Sequence, residues 1–226
     1  MLIVLEGLDG AGKSTQVKKL KDYLAAMPQG LEYIHFPRYD APVYGELISR
    51  FLRGEFGAND VVHPQLVALL FAEDRHGAGP DIQKALDEGK NVLLDRYVYS
   101  NIAYQCSKLP EGAERDALRD WIFHTEYGTF ALPKPDLNLF LDVPIGFVES
   151  NLRAQRKGAD RSYLDGGRDI HEQNIAFQKQ VRSLYLAETE RDPHFRRIDC
   201  SGEDGRMLPP DDIFLRIREV VDPSFK

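Results

Sequence analysis

The chain has 226 residues, 42% hydrophobic and 29% charged, with 29 Lys and Arg against 36 Asp and Glu for a net charge of −7. That length suits one large α/β domain or two small ones, and the acidic balance argues against nucleic-acid binding by overall charge. No apolar run approaches the ~18 residues a membrane span needs, and two cysteines without C-x-x-C spacing suit reduced thiols in a cytoplasmic protein.

Leu2 to Leu5 is a short apolar run, the pattern of a buried strand, and it begins too early to leave room for a secretory leader. It runs into EGLDGAGKST, which fits G-x-x-x-x-G-K-[ST] as Gly7, Gly12, Lys13 and Ser14. Val17, Leu20, Leu24 and Met27 then recur at steps of three and four, one face of a helix over 14–27. Strand, glycine loop and helix are the context in which this motif cradles a nucleoside triphosphate. The loop's backbone N–H groups, from Gly7 through Leu8, Asp9, Gly10, Ala11 and Gly12 to Thr15, would face phosphate oxygens. Lys13 would reach the β/γ-phosphates and Ser14 would ligate Mg²⁺.

Further strands are expected to end at Phe36, Asp95, Asp142 and Cys200. Helices are expected over 43–53, 63–88, 98–107, 114–126, 144–157, 170–190 and 211–221, the last capped by Asp211. No linker, repeat or low-complexity segment divides them. This alternation predicts an α/β fold whose parallel sheet is covered by helices on both faces, with ligands collecting at the carboxyl ends of the strands.

Those strand ends carry a second constellation. Arg38 and Tyr39 follow the strand ending at Phe36. Phe71 and Arg75 lie four apart on one helical face. Asp95 and Arg96 close a strand, and Ser100, Asn101 and Tyr104 stand on the next turns. Together they offer two arginines for a phosphate, an aromatic face for a base, and donors for base edges: a second nucleotide site.

LLDRYVYSNIAYQ closely resembles the signature of thymidylate kinases, EGLDGAGKST their phosphate loop, FPRY their acceptor-phosphate segment and LLFAEDR their thymine-contacting helix. The resemblance covers about residues 1 to 190. It implies a three-layer P-loop fold with a five-stranded parallel sheet, a homodimer, and Mg²⁺-dependent in-line transfer from ATP to dTMP. It further implies that Phe71 stacks on thymine, that Arg75 and Asn101 read its edges, and that Arg38 and Arg96 grip the acceptor phosphate beside Tyr39. Phe36, Asp95 and Ser100 belong to the same acceptor set. Tyr104 would lie under the sugar, and Asp9 would sit between donor and acceptor and help to place Mg²⁺.

One branch of the family has an arginine directly after the loop aspartate, where this chain has Gly10. The resemblance then assigns catalytic arginines to a mobile lid around 153–170, with Arg153 and Arg156 contacting ATP and Arg161 and Arg168 in reserve. This lid is longer than expected for the family. Asp169 and Glu172 resemble a polar pair that follows it, and CSGEDGR after the last strand is a candidate for facing adenine. The rival readings are a kinase for another nucleoside monophosphate or a deoxynucleoside, and an NTP-hydrolysing switch. The switch would need an N-K-x-D motif or an acidic pair at a strand end, and the sequence has neither.

Overall fold

The computed structural model describes residues 1–154, 163–164, 169–172 and 174–225. Five strands form one sheet in the order β2-β3-β1-β4-β5: β1 (Leu2–Gly7), β2 (Leu31–His35), β3 (Asn91–Asp95), β4 (Leu137–Asp142) and β5 (Phe195–Asp199). Every pairing is parallel, with Leu5 opposite Asp95 on one side and Leu139 on the other. The three inner strands are buried along their full length, which is why they read as unbroken apolar runs. The edge strand β2 is only half-buried.

Helices α1 (Lys13–Ala25) and α8 (Pro210–Val221) touch each other and cover one face. The other face carries α3 (Pro64–Asp87), α4 (Val98–Cys106) and α7 (Ile175–Arg191); α2 (Tyr44–Leu52) packs on α3, and α5 (Ala113–Phe123) on α4. The expected three-layer α/β architecture is therefore present. Helix α6 (Ile145–Arg153) follows β4 and reaches back to the glycine loop.

The elements differ from expectation mainly at their ends. The helix expected over 114–126 becomes α5 plus a π-helical turn, His124–Thr129. That turn points Glu126 into the interior, where it is fully buried. The helix expected from 170 begins at Ile175, because Asp169 turns the chain by accepting from His171 N at 2.8 Å and Asn174 caps the helix by accepting from Ala176 N at 2.9 Å. Asp211 does not cap α8. Pro209 holds that place, Pro210 takes the first helical position, and Asp211 pairs with Lys19 of α1 instead.

Candidate functional site

The loop between β1 and α1 turns on Gly10 and Gly12, whose φ values of 79° and 72° cost glycine no steric strain. A Cβ at Gly10 would meet a Leu152 methyl and the Val148 carbonyl at 3.3 Å, and Asn151 Nδ2 donates to Gly10 O at 2.7 Å. Helix α6 thus packs on the loop and leaves little room for a side chain at position 10. Leu8, Asp9, Gly10, Ala11, Lys13 and Ser14 line a broad cavity with Asp95, Arg96 and Tyr39. Gly7 and Thr15 complete the loop's backbone, with Thr15 N donating to Gly12 O at 3.2 Å.

Lys13 reaches from the loop to the Asp95 carboxylate at the end of β3, whose second oxygen lies 3.0 Å from His35 Nδ1. Burial works against an ionised Asp95, but Lys13 and His35 outweigh it and hold the carboxyl well below the usual carboxylate range. Arg96 has φ 69°, a conformation that costs a non-glycine residue about 1–3 kcal/mol and is common at functional sites. Its guanidinium donates to Gly7 O at 2.8 Å, to Asp9 Oδ1 at 2.6 Å and to Ser100 Oγ at 3.2 Å. Asp9 also accepts from Gln178 Nε2 at 3.0 Å. Burial opposes its charge, yet Arg96 and its hydrogen-bond donors keep Asp9 below its ordinary value.

Glu6, fully buried in β1, holds the start of α4 in register with the loop. It accepts from Tyr97 N and Ser100 N at 2.9 and 3.1 Å, and from the hydroxyls of Ser100 and Tyr185 at 2.5 and 2.9 Å. A carboxylate here satisfies the free N–H groups of the helix N-terminus and complements its dipole. The sequence signal was a lone acid inside an apolar strand run.

Beside the phosphate-loop cavity lies a smaller cleft with a free volume of about 80 Å³. Phe36, Tyr39, Phe71, Arg75, Arg96, Ser100, Asn101 and Tyr104 all line it, so the structure brings together most of the second constellation. Arg75 is buried and donates to both oxygens of Glu126 at 2.5 and 2.8 Å. Asn101 Nδ2 donates to Glu126 at 2.8 Å and to Ala68 O at 3.0 Å, and its Oδ1 has no partner among the described residues. Gln105 Oε1 and His171 Nε2, on residues of the same wall, are also buried and have no partner among the described residues. Three unpaired polar atoms at one cleft suit a ligand that supplies their hydrogen bonds. Glu126, Gln105 and His171 were not singled out from the sequence.

Two expected site residues among the described ones are not brought to these walls. Arg38 turns toward α3, donating from N and Nε to the buried Asp74 carboxylate, both at 2.9 Å, and from its guanidinium to Asp74 O at 2.6 Å. Arg153, at the end of α6, is exposed and pairs with Glu149 at 2.5 Å. Arg156, like Arg161 and Arg168, lies outside the described residues. The CSGEDGR segment forms a turn closed by Gly202 N donating to Arg206 O at 2.9 Å, and it is on neither cavity wall.

Two titrating groups at the cleft oppose each other. Burial, with the Asp9 carboxylate nearby, pushes Asp169 from 3.8 up to about 7. Burial, with Lys108 nearby, pushes His171 from 6.5 down to about 3. Folded Asp169 holds a proton that the unfolded chain has released, so its contribution to stability falls as pH rises from about 4 to 7. Folded His171 refuses a proton that the unfolded chain takes up, so its contribution falls as pH drops from about 6.5 toward 3. Between about pH 5 and 6 each gives a slope of up to ~1.4 kcal/mol per pH unit, of opposite sign. His171→Phe should therefore be less stable at the higher pH and Asp169→Asn less stable at the lower, relative to a flatter wild type. Urea melts at both pH values check this; identical slopes in all three proteins would contradict it.

A family model described as thymidylate kinase matches residues 5–205. The chain is 36% identical over 189 residues to a thymidylate kinase of Mycobacterium tuberculosis, covering 82% of this chain and 84% of that protein. To human thymidylate kinase it is 31% identical over 218 residues, covering 94% and 91% respectively. A solved structure of thymidylate kinase from Candida albicans superposes with a TM-score of 0.72 at 31% identity, over 99% of this chain and 91% of that one.

Proposed function

Since the chain belongs to the thymidylate kinase family and phosphorylates dTMP to dTDP, we propose that the phosphate-loop cavity takes ATP and that the adjoining cleft takes dTMP. The observation that carries this reading is the wall the two cavities share, built from Asp9, Pro37, Tyr39, Arg96 and Tyr163. Phosphoryl transfer needs two anions brought together in line and neutralised, and needs little covalent help from the protein. Lys13 and the loop N–H groups hold the donor phosphates, and Arg96 neutralises charge where the cavities meet. Phe71 offers a face to thymine, while Arg75, Asn101 and Gln105 supply groups for its edges.

Hard oxygen donors suit Mg²⁺, which takes few protein ligands and completes its shell with phosphate and water. Ser14 is exposed on the donor cavity and the ionised Asp9 borders it. No larger cluster of metal-binding side chains occurs among the described residues. Asp9 and Ser14 thus fit the ion, which when bound would neutralise donor phosphate charge. The segment around 153–170 acts as a lid bringing arginines to the donor, within a single P-loop kinase unit in the cytoplasm. The described residues hold no helix long and apolar enough to cross a membrane.

Arg96→Ala should raise the KM of every acceptor alike, since phosphate is common to them, by about 10²-fold for a buried charged contact. Steady-state kinetics with dTMP and dUMP tests this, and a selective loss of one base would argue against the assignment. The exposed Leu66 and Leu69 of α3 support a homodimer through that helix. Light scattering should give twice the 25.7 kDa chain mass, and Leu69→Arg should return the single-chain value. A wild-type monomer would remove the dimer.

A further inference from the structure

We propose that Tyr163 is a further acceptor-positioning residue, whose ring completes with Tyr39 the aromatic wall between the two substrates. The inference rests on the assignment of the cleft to dTMP. The two rings stack at 4.0 Å with an interplanar angle of 8°, and both line both cavities. Tyr163 falls in the stretch of sequence that is longer than expected for a lid.

Each member of the pair is held from behind. The Tyr163 hydroxyl donates to Asp169 Oδ2 at 2.7 Å, and Arg53 donates to Tyr163 O at 2.7 Å. Its neighbour Leu164 is buried, and Ile170 N donates to Leu52 O at 2.9 Å, so Tyr163 and Ile170 are both tied to the end of α2. On the other side, a Cβ at Gly45 would lie 2.4 Å from Tyr39 O, a backbone approach that only glycine allows. Tyr39 is therefore fixed at its backbone by the start of α2 and at its ring by Tyr163. An aromatic pair fixed in this way orients a neighbouring sugar–phosphate and keeps water away from it. Positioning groups locked by their own supports are what a transfer between two anions requires.

The test is steady-state kinetics on Tyr163→Phe, Tyr163→Leu and Tyr163→Ala, with dTMP and ATP varied in turn and thermal melts alongside. An offset-stacked ring contributes beyond its buried area, so Leu and Ala should raise the KM for dTMP about tenfold. Phe keeps the ring and should stay within about threefold of wild type. The KM for ATP should move little in all three. If Leu performs as well as Phe, or if the KM for ATP rises as much as that for dTMP, the proposal is wrong. The Leu-to-Phe comparison decides the matter even where Ala fails to fold. Phe71→Ala, run in parallel, separates the two levels. A change for Phe71→Ala but none for Tyr163→Leu overturns only the role of Tyr163. No change for Phe71→Ala overturns the cleft assignment itself.

Discussion

Arg75→Met is expected to destabilise the fold by about 3–5 kcal/mol before it reports anything about specificity. The guanidinium is 3% exposed and its partner Glu126 is not exposed at all. Truncating one side of such a pair leaves a carboxylate in the interior with only Asn101 donating to it among the described residues. The double variant Arg75→Met/Glu126→Gln removes that charge, and a glutamine oxygen can still accept from Asn101, so most of the lost stability should return. In the double variant the preference for dTMP over dCMP should also collapse. Thymine presents an O4 acceptor where cytosine presents an amine, and a guanidinium can only donate. Losing one such contact is worth about 1–3 kcal/mol, or roughly 5- to 150-fold in the ratio. Urea melts and competition assays measure the two effects separately. A single variant as stable as wild type would show that the pair does not carry a buried charge.

Lys13→Ala should lower turnover by about 10³-fold while leaving dTMP binding within a few-fold. Its ammonium stands on the phosphate-loop cavity, proposed above to hold the donor, where charge on the migrating phosphoryl group would be neutralised. In the structure that charge is held by Asp95, which His35 also contacts at 3.0 Å, so the carboxylate keeps one partner when the lysine is removed. Burial lowers the Lys13 pKa against the pull of Asp95. Arriving phosphates add negative charge beside the ammonium and favour its protonated form. Stopped-flow turnover and dTMP binding by calorimetry check this. Near wild-type turnover would remove Lys13 from the chemistry.

Much of this site was legible because its residues lie where local rules operate. A parallel strand buried on both faces must be an apolar run, so β1, β3 and β4 declared themselves, and the polar residues just beyond them had no packing reason to be there. Phe71 and Arg75 share a helical face, as four-residue spacing requires. The partners that fix those residues were not legible. Glu126 lies 51 positions from Arg75 and points inward only because a π-helical turn rotates it there. Arg38 was expected at a phosphate, but the sequence does not show that a carboxylate on α3, 36 positions away, holds its guanidinium. The stack of Tyr163 on Tyr39 depends on tertiary docking against α2, for which neither residue has a local signal.

The acceptor reading is tested most directly by following ADP release with ATP and a panel of nucleoside monophosphates. dTMP should turn over fastest. dUMP, which keeps O4 and lacks only the methyl, should follow at roughly 10- to 200-fold lower kcat/KM. dCMP, dAMP and dGMP should lie far behind, by as much as ~10⁴ where mismatched hydrogen bonds combine. If dCMP or a purine monophosphate outran dTMP, the assignment of the cleft to thymine would be contradicted.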